Sequence, residues 1–232
     1  MAGIKEEPVK ATRADRGDEP RGALNRERVL RAAMELADEG GIESLTMREL
    51  GRRLGVEAAS LYNHVNGKDD LLDGMADLAA GEIDLPSDAV DWKDAMRRRA
   101  ASAREVFSRH PWASSLMDSR EHDGPAQLSY ADRVLGTLLG AGFPPREAAN
   151  AFLVLDAYAY GFQRQQSSLS LPEGVDTFDV AEEILTTIPS EAYPSLMRIA
   201  RDFAANPDDD SAVFDFGLGL ILEGLERQLE SD

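Results

Sequence analysis

The stretch Thr46–Lys68, TMRELGRRLGVEAASLYNHVNGK, constrains this chain more than any other. Thr46 has the side chain to cap a helix, and Glu49 three residues on completes the pattern of a capping box. Leu45 before the cap and Leu50 at the fourth helical position are spaced as a hydrophobic staple, which fixes how the chain enters. Met47, Leu50 and Leu54 fall on one face, while Arg48 and Arg52 share another. Glu49 precedes Arg53 by four residues, the favourable order for a surface ion pair. Gly55 then stops the helix, because glycine adopts the left-handed conformation of a C-terminal cap without a Cβ penalty. A second helix starts near Ala58. Leu61 and Val65 point inward at i and i+4, leaving Ala58, Ala59, Tyr62 and Asn63 outside. This spacing predicts a helix-turn-helix.

The outer face of the second helix decides what such a unit is for. Ala58, Ala59 and Ser60 are small enough for the helix N-terminus to approach base-pair edges in a major groove. Tyr62, Asn63 and His64 are polar groups that could reach bases or phosphates. Asn66-Gly67 is a turn dipeptide, and Lys68 opens a further helix whose unpaired N–H groups suit a phosphate. Residues 25–75 resemble the DNA-binding domain of the TetR (tetracycline-repressor) family of transcriptional regulators. The resemblance is carried by LTMRELGRRLGV, LYNHV and GKDDLL together. It implies that Arg48 reads a base from the first helix and that Ala58, Ala59, Ser60 and Tyr62 lie in the groove. It also implies that Thr46, Asn63, His64 and Lys68 stand near backbone phosphates. Glu57 departs from the pattern, standing where many members carry Ser or Thr.

A net charge of −18 over 232 residues runs against a chain that reads DNA, and its distribution resolves the conflict. Residues 1–68 hold 12 basic and 12 acidic side chains, and residues 69–232 hold the other 13 basic and 31 acidic ones. The acid excess therefore lies wholly outside the reading segment, where it repels DNA from the remaining surface. Cysteine is absent, which excludes disulfides and thiolate chemistry. The N-terminus lacks the apolar core of a signal peptide, and no apolar run of about 18 residues could span a membrane. The expectation is a cytoplasmic protein.

Taken in order, residues 1–23 are polar, charged and interrupted by Pro8 and Pro20, and read as a disordered tail. Residues 24–68 form the helix-turn-helix domain. It opens with a helix over 25–39 capped by Asn25, with Val29, Ala33 and Leu36 inward. Residues 69–85 connect it to the rest through a helix striped by Leu71, Leu72, Met75, Leu78 and Ala79. Residues 86–232 read as a second, helical domain. Helices are expected near 91–109, 111–117, 126–140, 146–166, 177–187, 191–205 and 209–229, with loops at 119–125 and 167–177. No strand is expected, so the fold class is all-α.

In the last of these helices Phe214, Leu218, Ile221, Leu225 and Leu229 make one stripe, with Gly217, Leu220 and Gly224 beside it. So wide an apolar face implies burial on more than one side. With 146–166 it resembles the pair of helices through which TetR-family proteins form homodimers as a four-helix bundle. A mainly apolar effector pocket is expected among Met96, Phe107, Trp112, Leu116, Met117, Phe152 and Tyr158, with the Tyr158 hydroxyl as a polar handle. His110 and His122, with Glu121 and Asp123, lack the compact spacing of a metal site. The histidine that holds a metal–drug complex in tetracycline-type members falls at Met117, a poor ligand for a hard cation. No nucleophile–base pair or phosphate-cradling glycine loop stands out, so neither catalysis nor a cofactor is expected. The leading reading is a repressor released from a palindromic operator by a small apolar effector. The alternative is an all-α dimeric interaction protein whose helix-turn-helix no longer binds DNA.

Overall fold

The computed structural model describes residues 23–86, 91–119, 124–168, 183, 185–205 and 210–231. The predicted tail up to position 22, the loop segment with Glu121, His122 and Asp123, and most of the helix predicted near 177–187 lie outside these residues. Among the described residues every regular element is helical.

Three helices make the head: α1 (Arg26–Gly40), α2 (Met47–Leu54) and α3 (Ala58–Leu61), with a short 3₁₀ turn over Ile42–Ser44. Asn25 starts α1 by accepting the Arg28 N–H at 2.8 Å, and Thr46 starts α2 by accepting the Glu49 N–H at 3.2 Å. Val29 and Ala33 of α1 meet Leu45, Leu50, Leu61 and Val65 in a core from which water is excluded. Each leucine so placed contributes on the order of 1.5–3 kcal/mol. Gly55 ends α2 at φ 69°. The turn is tight because of Gly51: a Cβ there would stand 2.9 Å from the Val56 carbonyl oxygen and 3.1 Å from the Ala58 nitrogen. Two features of α2 differ from the sequence reading. The Glu49 carboxylate does not complete a capping box but turns outward to Arg52. Arg53 is thereby left to pair with Glu35 and Glu39 of α1, not with Glu49. A tertiary partner wins over the i,i+4 neighbour.

Helix α4 (Lys68–Gly81) carries the chain from the head to α5 (Trp92–Arg109), α6 (Ala113–Ser119), α7 (Pro125–Gly140), α8 (Pro145–Ser168), α9 (Pro194–Ala205) and α10 (Asp210–Leu229). It packs on α1 at one end and on α6 and α7 along its length. The buried side chains form one continuous cluster from Val29 in the head to Leu222 in α10. Helix α8 runs into the segment read as a loop, and α6 starts after Pro111 and Trp112, which occupy a turn. In α10 the innermost line is Phe214, Leu218 and Leu222, while Ile221, Leu225 and Leu229 are only partly buried. Gly217 lets α8 approach, since a Cβ there would collide with the Tyr158 hydroxyl.

Candidate nucleic-acid interface and ligand site

The recognition element is short. Helix α3 spans only Ala58–Leu61, and turns carry the chain through His64 to the buried Val65. Glu57 precedes it without making a side-chain cap, the consequence of having no short hydroxyl at that position. Leu61 and Val65 fix the inner side, so Ala59, Tyr62 and Asn63 face outward, and Ala58, Ser60 and His64 are half-buried. Arg48 on α2 and Lys68 at the start of α4 are exposed. Thr46 is exposed too, and its oxygen accepts the Glu49 N–H, which leaves its O–H to donate elsewhere. All nine residues expected at DNA thus belong to the α2–α3 unit and the first residue of α4.

Two further residues, which the sequence reading did not single out, hold this surface in place. The Arg26 guanidinium donates to the His64 carbonyl at 3.1 Å and to both oxygens of Asp70, at 2.6 and 2.9 Å. Asp70 in turn accepts the Asn66 N–H at 2.7 Å. The turn between α3 and α4 is therefore clamped from α1. The hydrogen bond from Arg26 holds the Asp70 carboxyl below its ordinary range. Asp70 is legible as a helix-start acid, but a partner 44 residues away leaves no local trace.

A second connection joins head to bundle. His110, at the end of α5, lies with Nδ1 2.8 Å from Asp38 of α1 and Nε2 3.3 Å from Glu82, just past α4. The Trp112 indole donates to the same Asp38 at 2.7 Å. Asp77 of α4 accepts the Ala126 and Gln127 N–H groups at 2.8 and 3.0 Å, capping α7. Covalent continuity through α4 is not the sole route between the two parts.

The seven residues expected around an effector have different surroundings among the described residues. Trp112 turns to the head. Tyr158 spends its hydroxyl on the Phe214 carbonyl at 2.9 Å and its ring on Phe214 at 5.2 Å, so it binds α8 to α10. Met96 and Phe107 are fully buried, Leu116 nearly so, and Met117 and Phe152 partly. A cleft of about 430 Å³ opens between α5, α8 and α10 beside Arg104, Gln163 and Phe214, and one of about 350 Å³ lies beside Phe143, Asn150 and Leu225. None of the seven lines either cleft. Two of them do come together with residues that the sequence reading passed over. Phe107 packs on Tyr160 at 5.5 Å, and Phe152 on Tyr130 at 6.3 Å. Between those rings Arg99 meets Asp156 at 2.9 Å, with the Tyr130 hydroxyl donating to the same carboxylate at 2.9 Å. Burial pushes the Asp156 carboxyl up, and the charge of Arg99 with the phenol hydrogen bonds opposes that shift. Burial also pushes both phenols up, so Tyr130 and Tyr160 stay protonated donors. A signal was present: Arg99 sits three residues after Met96 and four before Ala103, on the apolar stripe of α5, and Asp156 is the lone charge in AFLVLDAYAY.

Among the described residues no group of three His, Cys, Asp or Glu side chains could hold a metal ion, and no helix is long and apolar enough to cross a membrane. Residues 29–75 match the model of bacterial regulatory proteins of the tetR family, and residues 85–229 match that of the tetracyclin repressor-like C-terminal domain. The chain is 33% identical over 223 residues to the HTH-type transcriptional repressor DrrR1 of Streptomyces coeruleorubidus, covering 92% of this chain and 81% of that one. It is 31% identical over 207 residues to the class C tetracycline repressor protein of Escherichia coli, covering 88% and 91%. ActR of Streptomyces coelicolor, solved in complex with actinorhodin, superposes with a TM-score of 0.75 at 27% identity over 88% of this chain and 96% of ActR. These matches do not favour a head that has lost its DNA. With a helix-turn-helix in front, a helical bundle behind and both halves matched, the chain belongs to the TetR family of ligand-responsive, DNA-binding transcriptional repressors.

Proposed function

We propose that this chain works as a cytoplasmic homodimer that occupies a palindromic operator and leaves it when a small, mainly apolar effector enters the bundle. The observation that carries the dimer is the outer face of α8 and α10. Leu153, Val154, Phe216 and Leu220 are all exposed there, and Phe216 is 70% exposed. Large apolar side chains in such a group mark a surface that another copy covers. Phe152 of α8 and Ile221 of α10 are partly buried and pack against the core, so Phe216 and Leu220 are the better probes of this face. A two-fold pair presents two α3 elements to successive major grooves, about 34–36 Å apart or a multiple of a turn.

On DNA the residues Thr46, Arg48, Ala58, Ala59, Ser60, Tyr62, Asn63, His64 and Lys68 divide between groove and backbone. Arg48 reads a base edge and Lys68 a phosphate. The domain division is a head at 24–68, a connector at 69–85 and an effector-binding and dimerising part at 86–232. Actinorhodin in ActR, and minocycline in a variant of TetR from Acinetobacter baumannii, support a small-molecule effector for this chain. The connector α4 and the Asp38–His110 contact transmit its arrival, with a coupling of about 1–3 kcal/mol, or 5- to 150-fold in operator affinity.

Fluorescence anisotropy with DNA flanking the protein's own gene tests this reading, alongside sedimentation. The parent is expected to sediment as a dimer and bind one duplex with a steep salt dependence. Lys68→Ala flattens that dependence, and Arg48→Ala costs about 1–3 kcal/mol at one base position. Phe216→Glu yields monomers that lose the operator. A monomeric parent, or a parent with no sequence preference, overturns the proposal.

A further inference from the structure

One ring joins three parts of the molecule. His110 caps the end of α5, its side chain is 11% exposed, and each of its nitrogens faces a carboxylate. Nδ1 lies 2.8 and 3.0 Å from the two oxygens of Asp38 on α1, and Nε2 lies 3.3 Å from Glu82, the C-cap of α4. A neutral imidazole carries one N–H and one lone pair, and an ionised carboxylate only accepts. In either neutral tautomer a lone pair therefore faces an anionic oxygen at hydrogen-bonding distance. The imidazolium donates on both sides and meets no such conflict.

The neighbouring groups decide which bond depends on the second proton. Just before α6, the Trp112 indole donates to Asp38 at 2.7 Å but carries no charge. Arg109 of α5 donates to Glu82 at 2.6 Å, so that carboxylate keeps a cation whatever His110 does. Among the described residues His110 is the one side chain able to carry positive charge that reaches Asp38. When the ring is neutral, its remaining proton therefore belongs on Nδ1, at the shorter bond and the carboxylate without another cation. The bond that fails is the one from Nε2 to Glu82. Imidazole ordinarily changes charge between about pH 5 and 8, above the carboxylate range near about 4. We propose that His110 is a proton-operated latch on the end of α4: doubly protonated it ties the connector to α1 and α5, and neutral it keeps α1 and releases Glu82. The latch is closed on the acid side of that range and open on the alkaline side. A proton thus sets how firmly the connector is held with no ligand in the bundle, so the inference stands apart from the effector reading above.

Nuclear magnetic resonance of the ¹⁵N,¹³C-labelled parent, with the His110 ring assigned through bonds to its own backbone, reads the protons directly. At about pH 5.5 both ring nitrogens are expected to carry one. At about pH 8.5 the remaining proton is expected on Nδ1, the opposite of the tautomer that a free imidazole prefers. Amide exchange reads the latch. The Glu82 and Ile83 N–H groups close the last turn of α4 on the Ala79 and Ala80 carbonyls, at 3.1 and 3.2 Å. Corrected for intrinsic rate, their protection should fall roughly 3- to 10-fold between about pH 6 and 8, the range for a charge-assisted bond discounted for the partial exposure of Glu82. Glu82→Gln can accept from a ring N–H or donate to a ring lone pair, so it suits both charge states, and its protection should stay level. His110→Gln has no charge to lose and should be level as well, so either variant serves if the other folds poorly. A His110 ring still neutral at about pH 5.5 overturns the proposal. So does a neutral ring protonated on Nε2, or a loss of protection with pH that persists in the variants. Failure of the dimer, the operator or the effector response leaves these readings in place, so the two proposals fail separately.

Discussion

Arg26, Arg52 and Arg53 of the head hold their carboxylates at the surface, whereas Arg99 of the bundle holds Asp156 with both side chains out of water. The two regions use the same chemistry for different ends. Surface pairs contribute little energy each, about 0–1 kcal/mol, but they fix which faces meet when the apolar core has already chosen the fold. Arg53 sets α2 on α1, and Arg26 sets the α3–α4 turn on α1. The buried pair adds little to stability over an apolar substitute, yet removing one partner exposes the other to an environment that cannot hold it. The head should therefore tolerate the loss of any one pair, and the bundle should not.

The sharpest way to break this contrast is Asp156→Ala, which strands Arg99. It should cost about 3–5 kcal/mol in urea unfolding. A loss below about 1 kcal/mol would mean that water reaches the guanidinium. In the head the most damaging single change is steric. Gly51→Ala sets a methyl against the Val56 carbonyl, where backbone cannot yield cheaply, and should cost about 1–3 kcal/mol. Its operator affinity should fall with it, since the clash lies between α2 and α3. Asp77→Ala removes the cap of α7 and is worth about 1 kcal/mol by thermal melting. A variant as stable as the parent would mean that water caps the helix equally well.

Asp70→Asn should show the smallest effect and a specific pH window. The hydrogen bond from Arg26 lowers the folded-state pKa of Asp70, so its stabilisation is present above the unfolded value of about 3.9. It fades as pH falls through the lower folded value. The gap between parent and variant in urea midpoint should thus be open at pH 7 and close below about pH 4. A gap constant across that range would show that the ion pair contributes nothing.

How much of this was legible in the sequence follows the range of the interactions involved. The caps at Asn25 and Thr46, the stop at Gly55 and the inward set of Leu50, Leu61 and Val65 are local patterns, and they are found where the patterns put them. The Glu49–Arg53 pair is also a local pattern, and it gave way because Glu35 and Glu39 offered Arg53 a tertiary alternative. In the bundle, large apolar residues can be recognised but not apportioned. Trp112 went to the head and Tyr158 to α10 because of partners far away in the chain. Arg99 and Asp156 were the misplaced charges on apolar stripes, and that mismatch, not hydrophobic bulk, was the better sign of a special place.

Asp77 gives the molecule a built-in reporter. The first turn of α7 begins after Gly124, which has no side chain to offer, so the Ala126 and Gln127 amides depend on a carboxylate from α4. Their protons should therefore exchange with solvent at a rate set by how α4 sits, not by the integrity of α7 itself. Following these two amides by exchange, with operator bound and with effector added, would read the connector's position from a helix outside the helix-turn-helix.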